Sequence, residues 1–168
     1  TRNLYERVEL FAGRYNEAMH KNGLSYFETF DSPKAMAKFK EIGLTYLLGT
    51  FLPLLRERGM IAEFYVTLQA IPRGGMSWRE LRELVAAGNG IGAHGLHHRQ
   101  LAGFGGRRKA IRETVMRVEV ERPRRILEAR LGIVPDSFAY VGGGFDATLR
   151  RIVREAGYTS ARSILPGA

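Results

Sequence analysis

Met76–Leu101, MSWRELRELVAAGNGIGAHGLHHRQL, changes from helical to extended pattern and then to a histidine-rich turn. Ser77 followed by Glu80 fits a capping box, with Ser at the cap and Glu at the third helical position. Leu81, Leu84 and Val85 then recur at helical spacing as far as Gly88. Gly90–His94 (GIGAH) reads as a very short strand running into the histidines. Helix, strand and polar turn in that order are parts of a βα repeat, and the flanking sequence continues it. Upstream, Phe51–Arg58 reads as a helix stopped by Gly59, and Met60–Leu68 (MIAEFYVTL) as a buried strand. Downstream, Arg107–Leu131 reads as a long helix with Pro123 as a point of interruption, closed by Gly132. Ser137–Val141 is the next strand, Asp146–Ala156 the next helix, and Tyr158–Ile164 a final strand. Nearer the N-terminus, Asn3–His20 and Ala35–Ile42 read as helices and Leu24–Phe30 as a strand. Strands separated by helices of this length make an α/β domain with a parallel sheet covered on both faces.

Composition narrows the classes. A chain of 168 residues with 45% hydrophobic content suits one globular domain, not a disordered chain. No apolar run approaches the roughly 20 residues of a bilayer span, and no signal peptide is visible in the charged stretch Thr1–Arg14. The compartment stays open: cell envelope or extracellular if a leader was removed ahead of Thr1, cytoplasmic otherwise. With no cysteine, disulfides, thiolate nucleophiles and Cys-based zinc sites are excluded. The formal charge is +9, of which Arg99–Arg130 carries a net +6. That stretch reads as a solvated helix face or a contact for an anionic polymer. Phe104 is its only aromatic residue, so stacking recognition of nucleic acid has no support.

Parallel α/β folds place their chemistry at the C-terminal ends of strands. Three such ends carry polar or glycine-rich sequence: Thr29-Phe30-Asp31-Ser32, His94-Gly95-Leu96-His97-His98, and Tyr140-Val141-Gly142-Gly143-Gly144-Phe145-Asp146. His94 and His98 are four apart, so on a helical turn both rings reach one cation. Neutral imidazole suits Zn, Co or Ni, and two histidines with one carboxylate leave positions open for water and substrate. His97 falls off that face, toward a supporting role or solvent. Gly142–Gly144 reads either as a plain turn or as backbone that lines the site and offers an N–H to a developing oxyanion. Glu63 interrupts an apolar strand as an edge or barrel-mouth residue, and Trp78 reads as packing in preference to a sugar platform.

These residues resemble the polysaccharide deacetylases, the NodB-homology or carbohydrate esterase family 4 domain. Met76–Leu101 is similar to that family's second motif, a helix and strand ending in H-(S/T)-x-x-H. Leu52–Val66, Ile126–Asp146 and Arg154–Ala161 resemble its flanking segments in the right order. The resemblance implies a distorted (β/α) barrel, here incomplete at its C-terminus, as a single domain with residues 1–43 an N-terminal extension and 44–168 the core. It implies a divalent metal, usually zinc with Co, Ni or Mn as alternatives, and hydrolysis of N-acetyl groups on a GlcNAc- or MurNAc-containing polymer. Carried over, His94 and His98 are metal ligands, and Tyr140, Gly142 and Gly143 line the substrate.

The departures are specific. The family's first motif is T-F-D-D, with the first Asp as base and the second as metal ligand. Thr29-Phe30-Asp31-Ser32 puts Asp31 in the base position and Ser32 where the metal carboxylate belongs, so Asp31 is the candidate for both roles. An alternative alignment puts Thr45-Tyr46-Leu47-Leu48 there, with both acids replaced. Val141 replaces the usual Pro, and no His follows His98 to act as the acid. An inactive family member that binds glycan or a protein partner is therefore the alternative expectation.

Overall fold

The computed structural model describes residues 17, 21, 38, 40–43, 51–102 and 113–164. The expected elements Asn3–His20 and Leu24–Phe30, the motif at Thr29–Ser32 and residues 107–112 of the long helix lie outside the described residues, apart from residue 17. Chain contacts divide the molecule into two compact units, Thr1–Ala62 with Pro72–Ser77, and Glu63–Ile71 with Trp78–Ala168.

In the first unit, helix α1 spans Leu52–Arg56 and buries Leu52, Leu54 and Leu55. Pro53, in its first turn, gives up an N–H that has no intrahelical partner there anyway. Gly59, at φ +62°, turns the chain out of the helix, and the Met60 N–H returns to the Leu55 carbonyl at 2.9 Å.

The second unit is a four-stranded parallel sheet: β1 Glu63–Val66, β2 Gly90–Ala93, β3 Ser137–Ala139 and β4 Ser160–Arg162. Between them run α2 Trp78–Ala86, α3 Glu113–Leu131 and α4 Ala147–Glu155. The strands lie in sequence order, β1-β2-β3-β4, without reversal. A doubly wound sheet reverses its order once; right-handed crossovers that keep stepping one way put every helix on one face, as in a section of a (β/α) barrel. Contrary to the expectation from the sequence pattern, the helices therefore do not cover both faces.

Strand alternation separates the two faces. Ile91 and Ala93 of β2 and Phe138 of β3 are buried. So are Leu81 and Leu84 of α2, Val120 and Leu127 of α3, and Leu149 and Ile152 of α4. Each of these side chains other than that of Ala93 contributes about 1.5–3 kcal/mol when removed from water. The other face is polar and small. The register pairs Glu63 with Gly90 and Tyr65 with Gly92. A Cβ on Gly90 would overlap the Glu63 carboxylate, and one on Gly92 the Ser137 hydroxyl and Tyr65 ring. The two glycines thus let Glu63 and Tyr65 lie across β2, where the Ser137 hydroxyl donates to Glu63.

Helix α3 does not break at the expected interruption. It continues for 19 residues through Pro123, whose ring is fully buried. Proline deletes the N–H that would meet the Glu119 carbonyl, and burial of the surrounding stripe carries the helix past that loss. Helix α4 is capped by Asp146, whose carboxylate accepts the Leu149 N–H at 2.7 Å.

Candidate functional site

His94 follows directly on β2 and continues its alternation onto the face of Gly90 and Gly92. Its backbone is still tied to the sheet, its N–H donating to the Val66 carbonyl at 2.9 Å. The Thr67 hydroxyl donates to the His94 carbonyl at 3.1 Å. The N–H groups of Leu68 and Gln69 donate to the Gly95 and Leu96 carbonyls at 3.3 and 2.9 Å. The turn after β2 is therefore held along its length by the end of β1.

Two residues turn the chain back. Gly95 has φ +81°, and His98 has φ +56°, the one described residue other than glycine with a positive φ. A side chain in that region costs energy except where local bonding compensates, and such strain gathers at functional sites. Here it carries the His98 ring back toward His94. The two Nε2 atoms come to 3.2 Å, with ring centroids 4.9 Å apart and planes at 67°.

The tautomer of His94 follows from its neighbour. Its Nδ1 lies 2.9 Å from the Ala139 carbonyl at the end of β3. A carbonyl only accepts, so Nδ1 carries the proton and Nε2 presents its lone pair to His98. Burial holds both imidazoles below their ordinary pKa, and the neighbouring His94 lowers His98 further. Both are thus kept in the neutral form that binds metal.

This pair fits a divalent metal. Two nitrogens each about 2.05 Å from a tetrahedral zinc lie roughly 3.3 Å apart, close to the observed 3.2 Å. The carbonyl on the far nitrogen of His94 is the usual support for a ligating imidazole. Among the described residues no group of three His, Cys, Asp or Glu could hold a metal. Asp31, the expected third partner and base, lies outside the described residues.

The third motif divides: Val141 and Gly142 lie beside the histidine turn, where a Cβ on Gly95 would come 3.5 Å from Val141 and one on Gly142 3.1 Å from the Gln100 side chain, and Tyr140 faces elsewhere. Tyr140 shares the face of Phe138 and packs edge-on to it at 5.7 Å while stacking on Phe145 at 5.1 Å. It lines a cleft of about 420 Å³ with Phe145, Arg150, Arg154 and Ser160, to which none of His94, His97 and His98 contributes. Burial pushes its hydroxyl pKa up. Gly142 and Gly143 have φ +68° and +73°. The Gly143 N–H donates to the Tyr140 carbonyl at 2.8 Å, so it is not free to meet an oxyanion. The contribution of β3 to the histidine pair is instead the Ala139 carbonyl.

Sequence reading overlooked one residue. Glu119 of α3 is only 1% exposed. Its Oε2 accepts the N–H groups of Leu96 and His97 at 3.0 and 2.8 Å, and its Oε1 meets His97 Nδ1 at 2.6 Å. The signal was present: Glu119 interrupts the apolar stripe of Met116, Val120, Pro123 and Leu127. A charge in a buried stripe needs specific partners.

A family profile described as polysaccharide deacetylase matches residues 29–161, beginning at Thr29 of the first motif. Among solved structures, the chain is similar to the Streptococcus pyogenes deacetylase PplD in complex with acetate. That match has 17% identity and a TM-score of 0.59, covering 68% of this chain and 49% of that one. It is also similar to IcaB from Ammonifex degensii, with 24% identity and a TM-score of 0.59, covering 71% and 55%. A third, a CE4 family pseudoenzyme from Bacillus anthracis, has 16% identity and a TM-score of 0.55, covering 66% and 36%. At such identities the likeness is one of fold. The chain spans about half the length of the first two structures. No curated protein matches it.

Proposed function

The chain belongs to the polysaccharide deacetylase family, and from that premise we propose that it is a metal-dependent hydrolase removing N-acetyl groups from a GlcNAc- or MurNAc-containing polymer. One observation carries the reading: two imidazoles at the C-terminal end of a parallel sheet, with Nε2 atoms 3.2 Å apart. His94 and His98 would hold the metal, zinc or alternatively Co, Ni or Mn. When bound, a divalent metal polarises the acetamide carbonyl and lowers the pKa of water.

The chain's own residues have simpler tasks. The Ala139 carbonyl keeps the His94 proton on Nδ1 and so keeps Nε2 available. Asp31, carried over from the motif, accepts the proton of the attacking water. Water adds to the acetamide carbon, the proton taken by Asp31 passes to the nitrogen as the C–N bond breaks with its electrons on nitrogen, and acetate and a free amine are released. Gly142 and Tyr140 are the proposed substrate contacts, together with Gly143 through atoms other than its engaged N–H.

A second reading, a deacetylase fold that binds glycan without cleaving it, is favoured by Ser32 standing at the metal-carboxylate position. One experiment separates the two. The purified protein is assayed for bound metal and for acetate release from N-acetylglucosamine oligomers, alongside H94A and H98A. Stoichiometric metal lost in both variants, with acetate release, supports the hydrolase. Metal without acetate supports the inactive binder, and a protein that takes up no metal overturns the metal site.

A further inference from the structure

The buried carboxylate of α3 is the strongest feature that the proposed reaction does not use. Glu119 meets four groups, all from the turn that carries the two histidines. Leu96 and His97 give it consecutive backbone N–H groups, and His97 gives it Nδ1. The Arg99 Nε lies 3.8 Å from Oε1. Consecutive N–H groups aimed at one anion form a concave cradle whose shape depends on the anion staying in place. The cradle spans the residues between His94 and His98, so its shape sets the path on which His98 turns back. The turn is thereby held from both sides, by the end of β1 through the His94, Gly95 and Leu96 carbonyls and by α3 through the N–H groups.

Other roles for Glu119 conflict with its contacts. As a metal ligand it would complete a three-residue group with the histidines, and no such group exists among the described residues. As a base it would need access to water, and it is buried with both oxygens engaged. We propose that Glu119 is a positioning residue: its carboxylate clamps the turn at residues 96–97, and that clamp holds the His94 and His98 rings at metal-binding separation. His97 is the side-chain arm of the clamp. Its ring is held by Glu119 on one nitrogen, and its side chain is 44% exposed. The metal half of the inference rests on the function proposed above; the ring-positioning half does not.

The test uses the full chain and two readouts. The first is the Co(II) affinity and visible absorption spectrum of wild type, E119Q and H97A. The second is the ring-to-ring nuclear Overhauser effect between His94 and His98 in the metal-free proteins. E119Q keeps the size of the side chain but loses the charge and one acceptor. It is expected to weaken Co(II) binding roughly 10–100-fold, change the spectrum and diminish the ring-to-ring effect, with far-ultraviolet dichroism unchanged. H97A leaves the two backbone contacts and should show the same changes to a smaller degree. It also stands in for E119Q if the latter does not fold. A folded E119Q, or a folded H97A in its place, with wild-type affinity, spectrum and ring contact overturns the proposal. If wild type binds no Co(II) but the ring contact still depends on Glu119, the clamp stands and the metal reading fails.

Discussion

Two groups of charged side chains on α3 are built from similar residues and do different work. On one side Glu119 is buried and gathers the turn at residues 96–97. On the other, Glu113, Arg117 and Glu121 of α3 interlace with Arg151 and Glu155 of α4 at 2.6–3.1 Å. The outer network has more ion pairs, yet its members are 29–45% exposed and face salt and water. Exposed pairs contribute little because water and counter-ions already satisfy each charge. The Glu119 carboxylate, at 2% side-chain exposure, has no such substitute, so it decides the path of the chain there.

The comparison can be broken by removing one member from each side. E119A leaves the Leu96 and His97 N–H groups without their acceptor, and a polar group left unsatisfied in this way costs about 1–3 kcal/mol. Urea unfolding measures it, and a loss below about 1 kcal/mol would make the inner and outer groups equivalent. Acid supplies a second contrast. Both imidazoles have folded pKa values below the unfolded value of about 6.5. The folded state then binds fewer protons than the unfolded one as pH falls through that value. Stability from this source is complete above about pH 6.5 and declines below it toward the depressed folded values. The thermal midpoint of metal-free protein should fall over that window, and H94A should flatten the slope.

Smaller effects sharpen the scale. D146A removes the cap on α4, worth about 1 kcal/mol, and chemical denaturation should place it between the two groups. R117A is expected to have the least effect. The carboxylate pKa values of Glu113 and Glu155 are held down chiefly by hydrogen bonds from Arg151 and Arg117, respectively. Its small drop in thermal midpoint should vanish at high salt, and a drop that survives salt would show that this network is not screened.

Much of this was legible before folding. The stretch Gly90–His98 contains its own argument, because short strands ending in polar residues mark a parallel sheet's working edge, and the sheet is parallel. The helical spacing in α2 and the cap of α4 are local, and local patterns survive translation into structure. The tie from Ala139 to His94 was not legible, since any residue could supply that carbonyl. Tyr140 sits with the core aromatics because strand alternation puts it on the face of Phe138.

The sequence by itself determined the α/β class, the order of elements and the presence of two imidazoles four residues apart, since these depend on periodicity and residue identity. Only the tertiary structure decided that the imidazoles meet. Their meeting depends on a positive φ at His98, a carbonyl from β3 and a carboxylate from α3. Those groups are 22 and 45 positions away along the chain from the residues they hold. Distances of that kind are set by packing, where burial brings together groups that no local pattern links.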